Sequence, residues 1–377
     1  MVDRNLQRAI AYRVQAARAA KKWTQEQLSQ ALGLNDRQTI SDIETGNRAL
    51  KSDELLKLSE LLEQDIDFFI NPFSIVGEAQ FSWHANPAIA KNTLDAFELK
   101  TGLWIGLLRW LRAQQNEKTS VFKKSLRLSA QSSFEDAQEC AEKLVVEFAL
   151  GLVPAKNLSQ IIQHKLDIPI LLFEFTENKQ GATISGATCH LEEMDVILIN
   201  RHEPETRRYY DLAYELFHIL TWDSLKPEHL ESNIDLVPNK KKRLEQLADN
   251  FAAALLMPRA SLDRLIVPEK KNDITHLCEV AAQLHVAPIA LSWRLLTLNR
   301  INLATHNSLR VKKQHLQQFV APRLLSDYFV KLLHNALENG HLSARKASKI
   351  LALELNQLTE LFSQYRTQSP FEVEAVT

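Results

Sequence analysis

The sequence has few of the residues that build several common kinds of site. Only 9 glycines occur among 377 residues, and none of them form a glycine-rich phosphate loop. The three cysteines are far apart and include no CxxC pair, which argues against a disulfide framework and against a cysteine zinc site. No apolar run approaches the roughly 18 residues of a membrane-spanning helix, and Asp3 and Arg4 lie where a signal peptide would be apolar. We therefore expect a cytoplasmic protein without a membrane partner.

The composition instead favours helix. Hydrophobic residues make up 45% of the chain and charged residues 24%, which is ordinary for a globular protein. Ala, Leu, Gln, Glu and Lys are plentiful, so we predict a mainly α protein with a small β-sheet. The length predicts two or three domains. Because the formal net charge is −1, any nucleic-acid site must come from a local concentration of positive charge.

The first 70 residues predict five short helices. Apolar residues recur there at helical spacing, and turn signals separate them. Thr24 and Gln27 form a capping-box pattern, Gly33 and Gly46 follow helix ends, and Pro72 follows the last helix. Two short helices joined by three or four residues make a helix-turn-helix unit, whose second helix enters the major groove of DNA.

The outward residues of the third helix suit that role. They include Arg37, which can pair with guanine, and Gln38, which can pair with adenine. Thr39 and Ser41 lie on the same side. Residues 1–51 contain nine Lys or Arg and five Asp or Glu, a local charge of about +4 that suits contact with phosphates. Double-stranded DNA is the expected partner.

Residues 4–70 resemble an Xre-type (lambda-repressor-like) helix-turn-helix domain. The resemblance is carried by residues 24–28, 33, 38–44 and 46–48. It implies that Gln25 and Arg48 contact backbone phosphates. It also implies that Arg37, Gln38 and Ser41 read bases. A homodimer would then grip two half-sites. The alternative is that the five-helix unit is only a protein-docking module.

A second motif lies at residues 214–218. In the pattern H-E-x-x-H, two histidines on one helical face bind zinc and the glutamate is the general base. Glu215 and His218 stand in their expected places, but Tyr214 replaces the first histidine. A phenol has a pKa of about 10 and is longer than imidazole, so it is a poor zinc ligand at neutral pH.

Residues 133–270 resemble the ImmA/IrrE family of zinc metallopeptidases. The likeness lies in a strand ending at Asn200, in residues 213–220 and in the long pattern at 245–258. It implies an α+β, gluzincin-like domain in which His218 and Glu245 are metal ligands, Glu215 is the catalytic base and Tyr214 occupies the first ligand's place.

Two outcomes are open for the metal. Either no stable catalytic zinc is bound, or a weakened zinc site is rescued by another ligand, for which His202 and His229 flank the helix. Without zinc, Glu215 would be a buried carboxylate that needs a new partner, such as the Tyr214 hydroxyl or an arginine.

Along the chain we predict four segments: the DNA-binding domain 1–71, a connector with a long amphipathic helix 72–132, the metallopeptidase-like domain 133–270 and a helical region 271–377. Two functions compete. One is a sequence-specific DNA-binding transcriptional regulator whose metallopeptidase-like domain is a sensor or partner-docking module. The other is a zinc endopeptidase that cleaves a repressor or antitoxin. A third hypothesis makes the chain a member of a toxin–antitoxin or phage-defence pair.

Overall fold

The computed structural model describes residues 4–34, 36–85, 89–115, 124–176, 183–231, 240–311 and 321–372. Within these ranges there are seventeen α-helices and one small sheet, which confirms the predicted fold class. The chain divides into two compact units. Unit 1 comprises Met1–Gln80, Asn92–Lys118 and Asp327–Thr377, and unit 2 comprises Phe81–Lys91 and Thr119–Ser326.

Unit 1 begins with the five predicted helices. They are α1 (Arg4–Ala20), α2 (Gln25–Leu32), α3 (Arg37–Glu44), α4 (Ser52–Leu62) and α5 (Ile66–Ile70). Thr24 caps α2 in a capping box, and Gly33 ends that helix with a φ of 71°, a left-handed conformation that glycine adopts without strain. The apolar faces of the five helices meet in one core, which contains Val14, Leu28, Ile40, Ile43, Leu58, Leu62 and Phe69.

The long amphipathic helix of the connector is also present. It is α6 (Lys91–Gln114), and it packs against residues 73–75 of its own chain. The approach is close: a Cβ at Gly106 would lie 1.9 Å from the carbonyl oxygen of Phe73. The rings of Phe73 and Trp110 meet edge to face with centroids 5.4 Å apart. Only glycine at position 106 permits this backbone contact.

A buried charge cluster joins three parts of unit 1. Arg13 on α1 is fully buried and donates to the carbonyl oxygens of Phe69 (2.7 Å) and Ser74 (2.6 Å). Glu78 lies between Arg13 (Nη2–Oε1 3.3 Å) and Arg109 on α6 (Nη1–Oε2 2.5 Å). Burial lowers the pKa of Arg13, and the charge of Glu78 partly offsets that effect. The carboxylate of Glu78 therefore links α1 and α6 to the segment that follows α5.

Unit 2 contains the sheet. Its strands are β1 (Gln80–Ala85), β2 (Ile170–Phe173), β3 (Ile184–His190), β4 (Asp195–Asn200) and β5 (Leu230–Glu231), in the order β2-β4-β3-β1-β5. β2 is parallel to β4, with Ile170 opposite Ile197, and β5 is parallel to β1. β3 and β4 are antiparallel, with Ala187 opposite Leu198.

The helices of unit 2 pack around this sheet. They are α7 (Phe134–Glu147), α8 (Pro154–His164), α9 (Glu205–Leu220), α10 (Lys240–Leu256), α11 (Arg259–Leu265), α12 (Ile274–Gln283), α13 (Pro288–Thr297) and α14 (Leu303–Val311). α9 follows Pro204, and all of its residues from Asp211 to Leu220 are buried. It lies between β3 and β4 on one side and α10 on the other. The helix that carries the zinc-like motif is thus a core element.

The last three helices return to unit 1. They are α15 (Asp327–Glu338), α16 (Ala344–Leu351) and α17 (Leu355–Gln364). Lys346 on α16 places its amine 5.5 Å from the ring centre of Phe73. The four predicted segments follow the chain, whereas the two units follow packing, so the segment boundaries stay a prediction.

Among the described residues, no single helix combines the length and hydropathy needed to cross a membrane. One bent pair, Ile274–Gln283 with Pro288–Thr297 at 105°, meets those criteria together, by length and composition only.

Candidate functional site

The outward face of α3 carries the predicted base-reading residues. Asp36 caps the helix and accepts a hydrogen bond from the backbone N–H of Gln38 (3.0 Å). Ile40 and Ile43 are buried below. Arg37 and Gln38 are exposed above, and Thr39 and Ser41 are half-buried. α3 therefore presents its polar residues to solvent from a helix that its cap and core hold in place.

A chain of hydrogen bonds orders two of the predicted DNA contacts. Arg37 Nε donates to Gln25 Oε1 (3.1 Å), and Gln25 Nε2 donates to Glu44 Oε2 (2.9 Å). Buried Glu44 in turn accepts two hydrogen bonds from Arg18, at 2.6 and 2.8 Å. The hydrogen bond to Glu44 raises the pKa of Arg18. Gln25 and Arg37 were predicted as DNA contacts, which stays a prediction, whereas Arg18 and Glu44, which hold Gln25, were not predicted as part of the site.

Arg48, the other predicted phosphate contact, is engaged within the protein. It donates two hydrogen bonds to Glu54, at 3.0 and 2.7 Å. These bonds raise the pKa of Arg48 and lower the pKa of Glu54. Glu54 also accepts from the backbone N–H of Lys51 (3.0 Å) at the start of α4. In the sequence, Glu54 could have been recognised by its position three residues after Lys51, where a capping box has its glutamate. A phosphate would have to compete with Glu54 for Arg48.

The second candidate site lies on one face of α9. Asp211, Tyr214, Glu215 and His218 are spaced at i, i+3, i+4 and i+7, so they share that face. All four side chains are at most 3% exposed. The predicted catalytic and metal-binding residues of the helix therefore do come together, but in the core of unit 2.

Glu215 is held by β3. Its Oε2 accepts a hydrogen bond from the hydroxyl of Thr188 (2.7 Å). Its Oε1 lies beside Gly186, where an added Cβ would be 3.0 Å away. Glycine at position 186 therefore leaves room for the carboxylate. The sequence analysis expected a buried Glu215 to have the Tyr214 hydroxyl or an arginine as its partner. The structure adds the hydroxyl of Thr188, which was not predicted.

Tyr214 lies between two imidazole rings. His84 on β1 stacks on it, with ring centres 4.8 Å apart and planes 27° apart. His218 meets it edge to face, with ring centres 4.9 Å apart. His84 is remote in sequence from the motif, and no local pattern marked it. The phenol ring thus fills the space where an imidazole of the H-E-x-x-H pattern would hold metal.

The residues of this face do not fit a three-ligand zinc centre as they are arranged. No group of three or more His, Cys, Asp or Glu suited to a metal ion occurs among the described residues. Glu245 is half-buried on α10. His202 lies beside Glu174 (Nε2–Oε1 3.9 Å), and His229 is exposed in the loop before β5. The zinc content of the protein therefore stays a prediction.

Asp211 adds a titratable group to the same face. The carboxylate is fully buried, with Arg207 Nε 3.0 Å and His84 Nδ1 3.9 Å from its Oδ1. Burial raises the pKa of Asp211 to about 7, although the charge of Arg207 lowers it. In the sequence, Asp211 could have been placed on this face because it lies three residues before Tyr214 on the same helix.

A pocket of about 640 Å³ opens beside this face. It is bounded by the first turns of α9, the middle of α10 and the whole of α13. Its wall combines apolar side chains with a few polar groups, as small-ligand pockets do. Trp293 is 55% exposed at its edge, and the hydroxyl of Tyr210 donates to Asp249 (3.1 Å) within it. The lining is Thr206, Arg207, Tyr210, Asp249, Asn250, Ala253, Val286, Ala287, Ile289, Ala290, Trp293, Arg294 and Thr297.

Comparison with known proteins identifies two domains in the chain. A helix-turn-helix family model matches residues 14–69, and the model of the IrrE N-terminal-like domain matches residues 166–296. No curated protein matches the chain. A solved structure, the apo form of the competence regulator ComR from Streptococcus vestibularis, is similar over 93% of this chain and 100% of that chain. It has 12% identity and a TM-score of 0.17, too low to support a shared fold or function.

The family matches include the whole of α3 and the whole of α9. The expected fusion is confirmed: the chain joins an Xre-type helix-turn-helix domain to an IrrE-like domain of the ImmA/IrrE metallopeptidase family.

Proposed function

We propose that the protein is a cytoplasmic, sequence-specific transcriptional regulator that binds duplex DNA as a homodimer. One observation carries the proposal: α3 presents Arg37 and Gln38 to solvent from a capped helix whose opposite side is buried in the domain core. Arg37 is also held by Gln25, a predicted phosphate contact. Side chains held in position lose less conformational entropy when they bind.

The IrrE-like domain serves this regulator as a sensor or partner-docking module. Two features support that role over catalysis. Tyr214 lies between His84 and His218 at the first ligand position, so one of the imidazoles that would hold a catalytic zinc for peptide cleavage is missing. The neighbouring pocket has the volume and the mixed lining of a small-ligand site.

The DNA-binding part of the proposal is tested by replacing Arg37 and Gln38 with alanine. Each loss should weaken binding to the preferred sequence by about 1–3 kcal/mol, because each residue can make a bidentate contact with one base. Binding to unrelated sequences should change little, because phosphate contacts are kept. A gel-shift titration with selected genomic fragments measures both.

Lys57→Ala is the matched control, since Lys57 is an exposed residue of α4 in the same domain. It should leave the sequence preference intact. If the unaltered protein binds all fragments equally, or binds none, the proposed function is wrong.

The alternative is a zinc endopeptidase that cleaves a protein partner. It is favoured by Glu215 and His218, which still share one face of α9. We expect well under one zinc per chain in the unaltered protein and a higher content in Tyr214→His, which restores two imidazoles at i and i+4. Tyr214→Phe keeps the ring and should gain no zinc. Elemental analysis of the three purified proteins decides the matter, and zinc near one per chain in the unaltered protein would favour the peptidase.

A further inference from the structure

The last two helices of unit 1 form a helix-turn-helix of their own. Ser343 caps α16, accepting a hydrogen bond from the backbone N–H of Lys346 (3.2 Å). α16 ends at Ala352, whose φ of 53° is left-handed. The backbone N–H of Leu353 then donates to the carbonyl oxygen of Ser348 (3.0 Å), and α17 begins at Leu355. Three residues thus separate the two helices.

This pair resembles α2 and α3 in its capping, its left-handed residue and its buried positions, although four residues, not three, separate α2 from α3. In α2 the N-cap is Thr24, the left-handed residue is Gly33, and Leu34 N–H donates to the carbonyl oxygen of Ser29 (2.9 Å). Both accepting serines lie four residues before the left-handed position. The two pairs also bury apolar residues at the same four positions. Two lie in the first helix, five residues and one residue before the left-handed residue, and two are the fourth and seventh residues of the second helix. They are Leu28, Leu32, Ile40 and Ile43 in the first pair, and Ala347, Leu351, Leu358 and Leu361 in the second.

The turn alone does not identify a DNA-binding pair. Among the turns of three or four residues, a left-handed residue also lies between α1 and α2, at Lys22, between α4 and α5, at Glu63, and between α12 and α13, at His285. However, α5 has only five residues. The first residues of α13 are Pro288 and Ile289, and its exposed side carries Trp293. Neither α5 nor α13 presents a polar face like that of α3, and α2 is itself the first helix of the α2–α3 pair.

The outward side of α17 resembles that of α3 at three positions, although Leu355 stands where α3 has Arg37. At the second, third and sixth positions α3 has Gln38, Thr39 and Asp42, and α17 has Asn356, Gln357 and Glu360. Asn356 and Gln357 are exposed, and Glu360 lies one turn further along the same side. Asn and Gln amides pair with adenine, and a carboxylate accepts a hydrogen bond from the amino group of cytosine. The Oε1 of Gln357 accepts a hydrogen bond from the backbone N–H of Glu354 (2.8 Å), so adenine would have to compete for that oxygen. The side chains on this side of α17 are thus ones that read base edges.

The charge on α16 fits the phosphate backbone. Its sequence, ARKASKIL, contains Arg345, Lys346 and Lys349 and no acidic residue. Arg345 and Lys349 reach the surface of the helix. By comparison, α2 carries one acidic residue and no basic one. In a helix-turn-helix the first helix crosses the DNA backbone, where cations are favourable. The nearest acidic residues in the sequence belong to the second helix: Glu354 is the N-cap of α17 and Glu360 lies within it.

We propose that residues 343–364 are a second DNA-binding helix-turn-helix, with α16 on phosphates and Asn356 and Gln357 of α17 at base edges. The inference extends the DNA-binding function proposed above. Because α16 and α17 belong to the same compact unit as α2 and α3, both pairs act as parts of one DNA-binding body. The ligand is double-stranded DNA. Each protomer would then contact a longer stretch of DNA than α2 and α3 alone contact.

The test is the salt dependence of DNA binding by the full chain. In Arg345→Ala/Lys349→Ala two phosphate contacts are lost, so the slope of log K against log[salt] should become less steep by about 1.8. Lys331→Ala is the control, because Lys331 is an exposed cation on the neighbouring helix α15; it should leave the slope unchanged. None of the three substituted residues is buried, so circular dichroism should show unchanged helix content.

A second variant tests base reading. Asn356→Ala/Gln357→Ala should reduce the preference for the selected fragment over an unrelated one, by on the order of tenfold or more, with the salt slope kept. If neither pair of changes alters binding while Arg37→Ala/Gln38→Ala does, the second helix-turn-helix is refuted and the proposed function stands. If only the changes in α16 and α17 alter binding, the inference stands and the assignment of base reading to α3 is wrong.

Discussion

Glu78→Gln is expected to destabilise unit 1 by about 3–5 kcal/mol, because it removes the negative charge that lies between Arg13 and Arg109. Arg13 would remain fully buried and Arg109 nearby would repel it, an effect already present in the lowered pKa of Arg13. Breaking a buried ion pair costs this much because the remaining charge has lost both its water and its partner.

Hydrogen exchange of the α1 and α6 amides measures this loss within unit 1, without requiring the whole chain to unfold in one step. Glu63→Gln is the matched control: Glu63 pairs with Lys21 at 2.8 Å, but its side chain is 80% exposed. Water screens that pair, so exchange should be unchanged. A loss below about 1 kcal/mol in Glu78→Gln would show that the backbone carbonyls alone satisfy Arg13.

Unit 2 should lose about 2–3 kcal/mol of stability between pH 5 and pH 8 through Asp211 alone. Its pKa is raised to about 7 in the folded protein, chiefly by burial, against about 3.9 in an unfolded chain. Between these values the folded state holds one more proton than the unfolded state, so stability falls by about 1.4 kcal/mol for each pH unit. Above pH 7 the loss is complete.

Asp211→Asn removes this titration and should flatten that part of the pH profile. The variant should therefore be more stable than the unaltered protein at pH 8 and little different at pH 5. The charged or titratable groups that interact with Asp211 include Arg207, His84, Glu203, Asp249 and Tyr210. They are kept in the variant, so the difference between the two profiles isolates Asp211. Parallel profiles of unfolding midpoint against pH would contradict the prediction.

Local signals in the sequence were enough for the helices of the N-terminal domain. Thr24, Gly33 and Gly46 mark helix ends through bonds between near neighbours in the chain, and those ends appear in the structure. The same holds for α9, whose apolar and polar residues recur at helical spacing. The exchange of histidine for Tyr214 was likewise visible at once, because the pattern around it is contiguous.

Contacts between residues far apart in the sequence could not be predicted from such local signals. His84 meets Tyr214 because β1 lies in the same sheet as β3, which packs on α9. Thr188 reaches Glu215 for the same reason. Glu54 was not among the predicted site residues, yet it both caps α4 and holds Arg48. The contacts of His84 and Thr188 join residues whose spacing follows no helical or strand period, so periodicity could not predict them.

The sequence by itself determined that this chain carries a helix-turn-helix head and an IrrE-like helix with a tyrosine at the first metal position, since both are local patterns of side chains. The tertiary structure alone decided that the tyrosine ring is enclosed by two imidazoles, and that the last helices belong to the N-terminal unit. Those outcomes depend on which distant surfaces bury each other's apolar area, a property of the folded chain as a whole.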